Sequence, residues 1–353
     1  MKYRLKSIVW EITLACCFSC KYCGSSGGRA RENELTTEEC LSVVRQLSEL
    51  SCSRVNLIGG EVFMRKDWET IVRALRDRGI RVTIITNGYL FREELLEKLK
   101  ALQIESIAVS LDGPREVHDK YRQEGSYERA VRAISVLTEA GIPVSVISTL
   151  NAENVKLLPV LLETLKTFPI FAWQLQACSP MGNAANGGTP WRFSFREAVD
   201  FVESHRRNLP FALGIADNVG YYTETEGALR GIQSRYAPFT GCRAGLTTLG
   251  IDSVGNVRGC ESMYDERFNE GNLRERSLRE IWEDPAAFSY NRGFRQDFLT
   301  GKCASCPEGY RCAGGCRSYN FFTHGKLYEN IGCARAEAGK LPAAPKGEEC
   351  SSM

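Results

Sequence analysis

Cys16, Cys20 and Cys23 lie in the run Ala15-Cys16-Cys17-Phe18-Ser19-Cys20-Lys21-Tyr22-Cys23, just after an apolar segment. The spacing C-x3-C-x2-C puts three thiols on one short loop. A cubane iron–sulfur cluster takes four thiolates, so three leave one iron open for chemistry; haem, zinc and ferredoxin sites use other spacings or close the shell. Cys17 is out of register and reads as a bystander. A second concentration of thiols occupies the last third of the chain: Cys242, Cys260, Cys303, Cys306, Cys312, Cys316 and Cys333. Within it, Cys303-x2-Cys306-x5-Cys312-x3-Cys316 contains the C-x2-C knuckle that structural zinc and iron–sulfur sites share, and both stay open on spacing alone. Little apolar sequence surrounds these residues, so bound metal is expected to staple the unit.

The rest of the composition narrows the class. Fifteen cysteines in a chain of 353 residues, with no apolar run of membrane length and no signal-peptide core in Met1–Lys6, point to a reduced, cytoplasmic protein whose thiols are ligands rather than disulfides. Charge is balanced, 45 basic against 43 acidic side chains, so neither nucleic acid nor membrane is an expected partner. Only His118, His205 and His324 are available, which leaves histidine-based triads and metal sites poorly supplied.

The elements that must position the first loop alternate short β-branched runs with amphipathic helices. Strands are expected at Ser7–Leu14, Arg54–Ile58, Ile80–Thr86, Ser106–Leu111, Pro143–Leu150 and Ile170–Ala177. A capping box at Thr36-Thr37-Glu38-Glu39 opens a helix with Leu41, Val44 and Leu47 on one face. Further helices are expected near Trp68–Arg78, Arg92–Ala101, Tyr127–Ala140 and Val155–Lys166, with Gly79 and Gly141 as C-caps, and another after Ser194. Six β-α units in series predict a parallel sheet, open or curled into a barrel. In such a barrel the Cys loop, Gly59-Gly60-Glu61, Thr86-Asn87-Gly88, Ser110-Leu111-Asp112-Gly113, Thr149-Leu150-Asn151 and Gln176-Ala177-Cys178 all fall at the carboxyl ends of strands, where active sites form. Downstream, Thr247–Ile251, the turn Asp252–Asn256 and Val257–Arg258 predict a β-hairpin.

With these residues in place the chain resembles the radical S-adenosylmethionine (SAM) enzymes with a C-terminal SPASM extension. The Cys loop and Gly59-Gly60-Glu61 carry the first part of the resemblance. The second part rests on the cysteine spacing, Gly255 and Gly271-Asn272-Leu273…Leu278…Ile281-Trp282. The resemblance implies an α/β fold: a partial (β/α)6 TIM-like barrel over residues 1–212, a bridge over 213–235, a small Cys-rich cluster domain over 236–335, and a disordered tail over 336–353. It implies three [4Fe-4S] clusters: one on Cys16, Cys20 and Cys23 that chelates SAM, an inner auxiliary one on Cys242, Cys260 and Cys316, and an outer one on Cys303, Cys306, Cys312 and Cys333. The inner set lacks a fourth cysteine, so an open iron, a non-cysteine ligand or a distant residue such as Cys178 would complete it. Implied SAM contacts are Tyr22 against the adenine, Gly59, Gly60 and Glu61 at the ammonium, and Ser110 at the ribose or carboxylate. Thr86, Asn87 and Asn151 are placed as pocket lining. Asp112 is expected to be structural, in a turn with Gly113. Glu261 stands where sulfatase-maturing relatives carry a catalytic Asp; a base and a solvated surface carboxylate are both open.

The chemistry implied is reductive cleavage of SAM to a 5′-deoxyadenosyl radical. That radical would abstract hydrogen from a peptide, leading to oxidative modification or cross-linking. A flavodoxin- or ferredoxin-type reductant is implied. Only fifteen residues precede Cys16, so direct leader binding or a separate recognition protein is expected. Alternatives are a sulfatase-maturase-like or small-molecule radical SAM dehydrogenase, or a non-catalytic metal-stabilised binding protein.

Overall fold

The computed structural model describes residues 3–219, 223, 225–230, 240–337 and 339. Seven strands, β1 (Ser7–Glu11), β2 (Arg54–Ile58), β3 (Arg81–Thr86), β4 (Ser106–Ser110), β5 (Val144–Leu150), β6 (Ala172–Ala177) and β7 (Ala212–Ile215), pair in sequence order and all in parallel. The helices between them are α1 (Thr37–Glu49), α2 (Trp68–Asp77), α3 (Glu93–Leu102), α4 (Arg115–Tyr121), α5 (Ser126–Glu139), α6 (Leu158–Leu165) and α7 (Phe195–His205). The six expected strands are present, and β7 is a seventh unit beginning where the barrel was expected to end.

Local signals explain these elements. Thr36 and Glu39 close a reciprocal capping box on α1, which buries Cys40, Val43, Val44 and Leu47; Leu41, expected on that face, is only partly buried. Gly79 and Gly141 take positive φ directly after α2 and α5, the conformation that ends a helix without a Cβ clash. At α7 the Ser194 side chain caps Arg196 N, and Glu337 joins it there by accepting from both.

The hairpin is present as β8 (Thr248–Ile251) and β9 (Asn256–Arg258), with β10 (Gly271–Asn272) beyond it. It does not stand apart. β8 pairs in parallel with β1, Ser7 opposite Thr248, so barrel and hairpin make one ten-stranded sheet in the order β10-β9-β8-β1-β2-β3-β4-β5-β6-β7. The segment Leu278–Glu283 docks on α1: Leu278 N donates to Gln46 Oε1 (2.6 Å) and Arg279 Nη2 to the Glu49 carbonyl (3.2 Å). Leu249, Ile251, Val257, Phe268, Ile281, Trp282 and Phe288 share one hydrophobic core with Ile8, Trp10 and Ile12. This corrects the expectation of too little apolar support: the region borrows the barrel's core. The tail 336–353 lies outside the described residues apart from 336, 337 and 339, and so do parts of the bridge 213–235 and of the segment before Cys242.

Candidate functional site

The Cys loop leaves β1 and is fixed by backbone on three sides. Cys16 N donates to the Gly28 carbonyl (2.8 Å) and Gly28 N to Leu14 (3.0 Å); Lys21 N donates to Tyr121 (2.8 Å), and Asn183 binds the Cys20 and Cys23 carbonyls through Nδ2 and N (2.8 and 2.9 Å). From β2, Gly60 N and Glu61 N donate to Thr13 and Ala15 (2.8 and 2.7 Å). The two glycines are required here because a Cβ on Gly59 would come within 2.6 Å of the Thr13 carbonyl and one on Gly60 would overlap the Leu14 and Ala15 carbonyls. Their first job is thus to seat the cysteine loop, a role that spacing did not reveal.

Cys16, Cys20 and Cys23 act on one another, and burial pushes Cys20 up to about 12 and Cys23 upward. Phe18 N and Gly27 N point at Cys16 Sγ (3.4 Å) and Cys23 Sγ (3.2 Å), and Asn87 Nδ2 reaches Cys17 and Cys16 (3.5 and 3.8 Å). Cys17 shares a hydrogen bond with Cys16 that raises one thiol and lowers the other. Downstream, Cys242, Cys260 and Cys316 form one mutually interacting group, and Cys303, Cys306, Cys312 and Cys333 another. Burial pushes Cys260 up to about 12 and Cys333 to about 11. Thiols so buried ionise only beside a compensating cation, which iron supplies. Among the described residues no three Cys, His, Asp or Glu side chains converge tightly enough for a single ion.

Glu61 is wholly buried rather than solvated. It accepts from Thr86 Oγ1 (2.9 Å) and Asn87 N (2.9 Å), and burial pushes its carboxyl up to about 7. Thr86 is committed to Glu61, while the Asn87 side chain faces the cysteines. Ser110 ends β4 half-buried. Asn151 is buried, its Oδ1 accepting from Glu153 N and Asn154 N and its Nδ2 without a partner. The Tyr22 hydroxyl donates to Asp112, which also accepts from Arg122 Nε and from Thr149 N (2.7 Å). The Arg122 guanidinium lies 5.5 Å over the Tyr22 ring. Asp112 is more than a local turn: it ties the Cys loop to β4, α4 and β5. The sequence flagged neither Arg122 nor this hub, because the partners are scattered along the chain. Cys178 packs with Phe18, Cys20, Tyr22 and Tyr121, beside the first loop rather than in the group of Cys242, Cys260 and Cys316.

Glu261 is also buried, contrary to the surface reading. It joins a charge group where β1 meets β8. Arg31 Nη1 donates to Glu11 Oε1 (2.6 Å) and Ser253, and Nη2 to Tyr264; Arg258 Nη2 binds Asp252 (2.9 Å) and Nη1 lies 3.8 Å from Glu261. Three carboxylates face two guanidiniums, and both Glu261 oxygens lack hydrogen-bond donors among the described residues. Burial, then Glu11, pushes Glu261 well up, and burial raises Glu11 too despite Arg31. A charged residue inside the apolar run Ile8-Val9-Trp10-Glu11-Ile12 was the sequence signal for this group.

Comparison with known proteins agrees with this geometry. A model of the radical SAM superfamily matches residues 10–164, and one of the SPASM iron–sulfur cluster-binding domain matches residues 242–307. The chain is 28% identical over 333 residues to an AdoMet-dependent heme synthase of Methanosarcina barkeri (91% of this chain, 94% of that one). It is 29% identical over 357 residues to the mycofactocin maturase MftC of Mycolicibacterium smegmatis (97% and 87%). Its fold matches Streptococcus suis SuiB bound to S-adenosylmethionine, with a TM-score of 0.74 at 18% identity over 94% of this chain and 77% of that one. SuiB bound to its precursor peptide SuiA matches with a TM-score of 0.72. No described helix is long and apolar enough to cross a membrane. The protein is an enzyme whose residues 10–164 are a radical SAM domain and whose residues 242–307 are a SPASM iron–sulfur cluster-binding domain.

Proposed function

We propose that the protein modifies a ribosomally made precursor peptide oxidatively or by cross-linking. Cys16, Cys20 and Cys23 would hold the SAM-binding cluster, Cys242, Cys260 and Cys316 the inner auxiliary cluster, and Cys303, Cys306, Cys312 and Cys333 the outer one. When loaded, the first cluster supplies the electron that cleaves SAM, and the resulting radical chemistry is the cofactor's own. The chain's residues do the rest. The glycines and Asn183 fix the loop, Glu61 offers a buried carboxylate to the SAM ammonium, and the Asp112–Arg122 pair holds Tyr22 in place. Ser110 and Asn151 line the pocket from β4 and β5. An external flavodoxin- or ferredoxin-type reductant feeds the site, and the peptide leader is read directly or by a separate protein.

The relatives include both peptide maturases and tetrapyrrole enzymes at similar identity. The peptide reading rests on the match to the mycofactocin maturase over 97% of this chain and on the fold shared with SuiB, which was solved bound to its precursor peptide. The test is anaerobic incubation of the reduced, iron-loaded protein and SAM with a leader-bearing precursor peptide or with an iron-bound tetrapyrrole. Peptide-dependent 5′-deoxyadenosine and loss of hydrogen from the peptide mass are expected. Turnover of the tetrapyrrole with the peptide untouched would overturn the reading.

A further inference from the structure

Arg317 directly follows Cys316 and opens the helix Arg317–His324, and it is completely buried. Its Nη1 donates to the carbonyls of Ala313 (2.6 Å), Leu327 (3.0 Å) and Gly315 (3.3 Å), and Nε to that of Tyr290 (3.4 Å). The guanidinium lies 4.4 Å over the Tyr328 ring and 5.6 Å over that of Phe294. These contacts fix the fork in one orientation. They satisfy hydrogen bonds but do not neutralise a charge.

A buried guanidinium without an anion is costly, which is why buried charges are almost always paired. Among the described residues no carboxylate pairs with Arg317. Apart from the Tyr328 phenol, the thiols of Cys242 and Cys316 from one set and of Cys312 and Cys303 from the other act with it electrostatically, and its carbonyl partners Ala313 and Gly315 lie in the chain between Cys312 and Cys316. Nη2 is buried and has no acceptor among the described residues. A donor and a charge are therefore held between two thiol groups, each of which becomes strongly anionic once it carries a cluster.

We propose that Arg317 is the shared counter-ion of the two auxiliary clusters, a positioning residue that stabilises their reduced states together. This rests on the cluster assignment above. A fixed cation favours the more negative, reduced form of each neighbouring cluster, so it raises both reduction potentials. The SAM cluster, whose ligands Cys16, Cys20 and Cys23 lie in the β1–α1 loop, serves as the internal control.

The experiment compares the full-length wild type with Arg317→Met and Arg317→Lys by iron and sulfide content and by redox titration followed by electron paramagnetic resonance. In Arg317→Met the auxiliary clusters are expected to titrate at more negative potential while the SAM cluster does not move, with Arg317→Lys recovering part of the shift. If Arg317→Met instead loses auxiliary iron and Arg317→Lys retains it, the need for charge is shown by assembly. Unchanged auxiliary potentials in an iron-replete Arg317→Met protein would overturn the proposal. Equal iron loss in both variants would do so too, because only the carbonyl-binding fork would then matter. A wild type that holds only the SAM cluster would remove the cluster assignment itself, an outcome distinct from either.

Discussion

The loop of Cys16, Cys20 and Cys23 and the stretch from Cys303 to Cys333 both gather thiols, yet they are held by different forces. The first is clamped by backbone hydrogen bonds from β2, from the segment after β6 and from Gly28, with glycines pressed against its carbonyls. The second is a chain of short turns and helices around buried thiols, a buried arginine and partly buried rings such as Tyr328. Where backbone fixes a ligand loop, metal fills a site that already exists. Where side chains and thiols supply the cohesion, metal and fold arrive together.

Cysteine removal should expose that difference most strongly. Cys303→Ala or Cys306→Ala is expected to unfold the segment around the outer cluster, seen as new protease cleavage between residues 295 and 335 together with lost iron. Cys20→Ala should abolish 5′-deoxyadenosine formation yet leave the protease pattern unchanged. Equal protease resistance of all three variants would erase the contrast.

Gly60→Val attacks the clamp itself. Its branched side chain meets the Leu14 and Ala15 carbonyls, so a loss of about 3 kcal/mol or more is expected by analogy with overpacked cores. Thermal unfolding should register it, with loss of the SAM cluster but retention of auxiliary iron. A stable Gly60→Val protein with weakened SAM affinity alone would return the glycine to a purely ligand-facing role.

A smaller effect concerns Glu61. Burial raises its folded pKa from 4.5 to about 7. The unfolded chain thus releases this proton first, and stability should fall as pH rises from about 4.5 to 7 and stay lower above it. Glu61→Gln should flatten that slope in the SAM-free protein. SAM, through its ammonium, should flatten it in the wild type. Denaturant titrations across this range check both.

The smallest change is expected from Cys17→Ala, which should leave SAM cleavage at the wild-type rate because its thiol shares hydrogen bonds with Cys16 and Asn87 but stands outside the C-x3-C-x2-C register. Abolished cleavage would mean that the register of the loop has been misassigned.

What the sequence disclosed and what it hid follow from range. The capping box at Thr36, the strand at Arg54–Ile58 and the C-caps at Gly79 and Gly141 are settled by neighbours within a few residues, and all are found where expected. The cysteine spacings were legible for the same reason. β7, only Ala212–Ile215, is too short to show a pattern. The hub at Asp112 joins residues from Tyr22 to Thr149, and the charge group of Glu261 draws on Glu11 and Arg31. Burial of Glu261 and Arg317 depends on such contacts, which no local rule contains.

The pairing of Ser7 with Thr248 also has a consequence for biosynthesis. The outer edge of β1 stays open on the ribosome until β8 has been made, which at roughly 5–20 residues per second takes about ten seconds or more. An unpaired edge beside nascent, unmetallated thiols invites pairing with another chain. The last strand to reach β1 comes from the SPASM region, so closing this edge commits both halves of the molecule at once. Truncation before β8 should accordingly give an aggregating barrel rather than a smaller working enzyme.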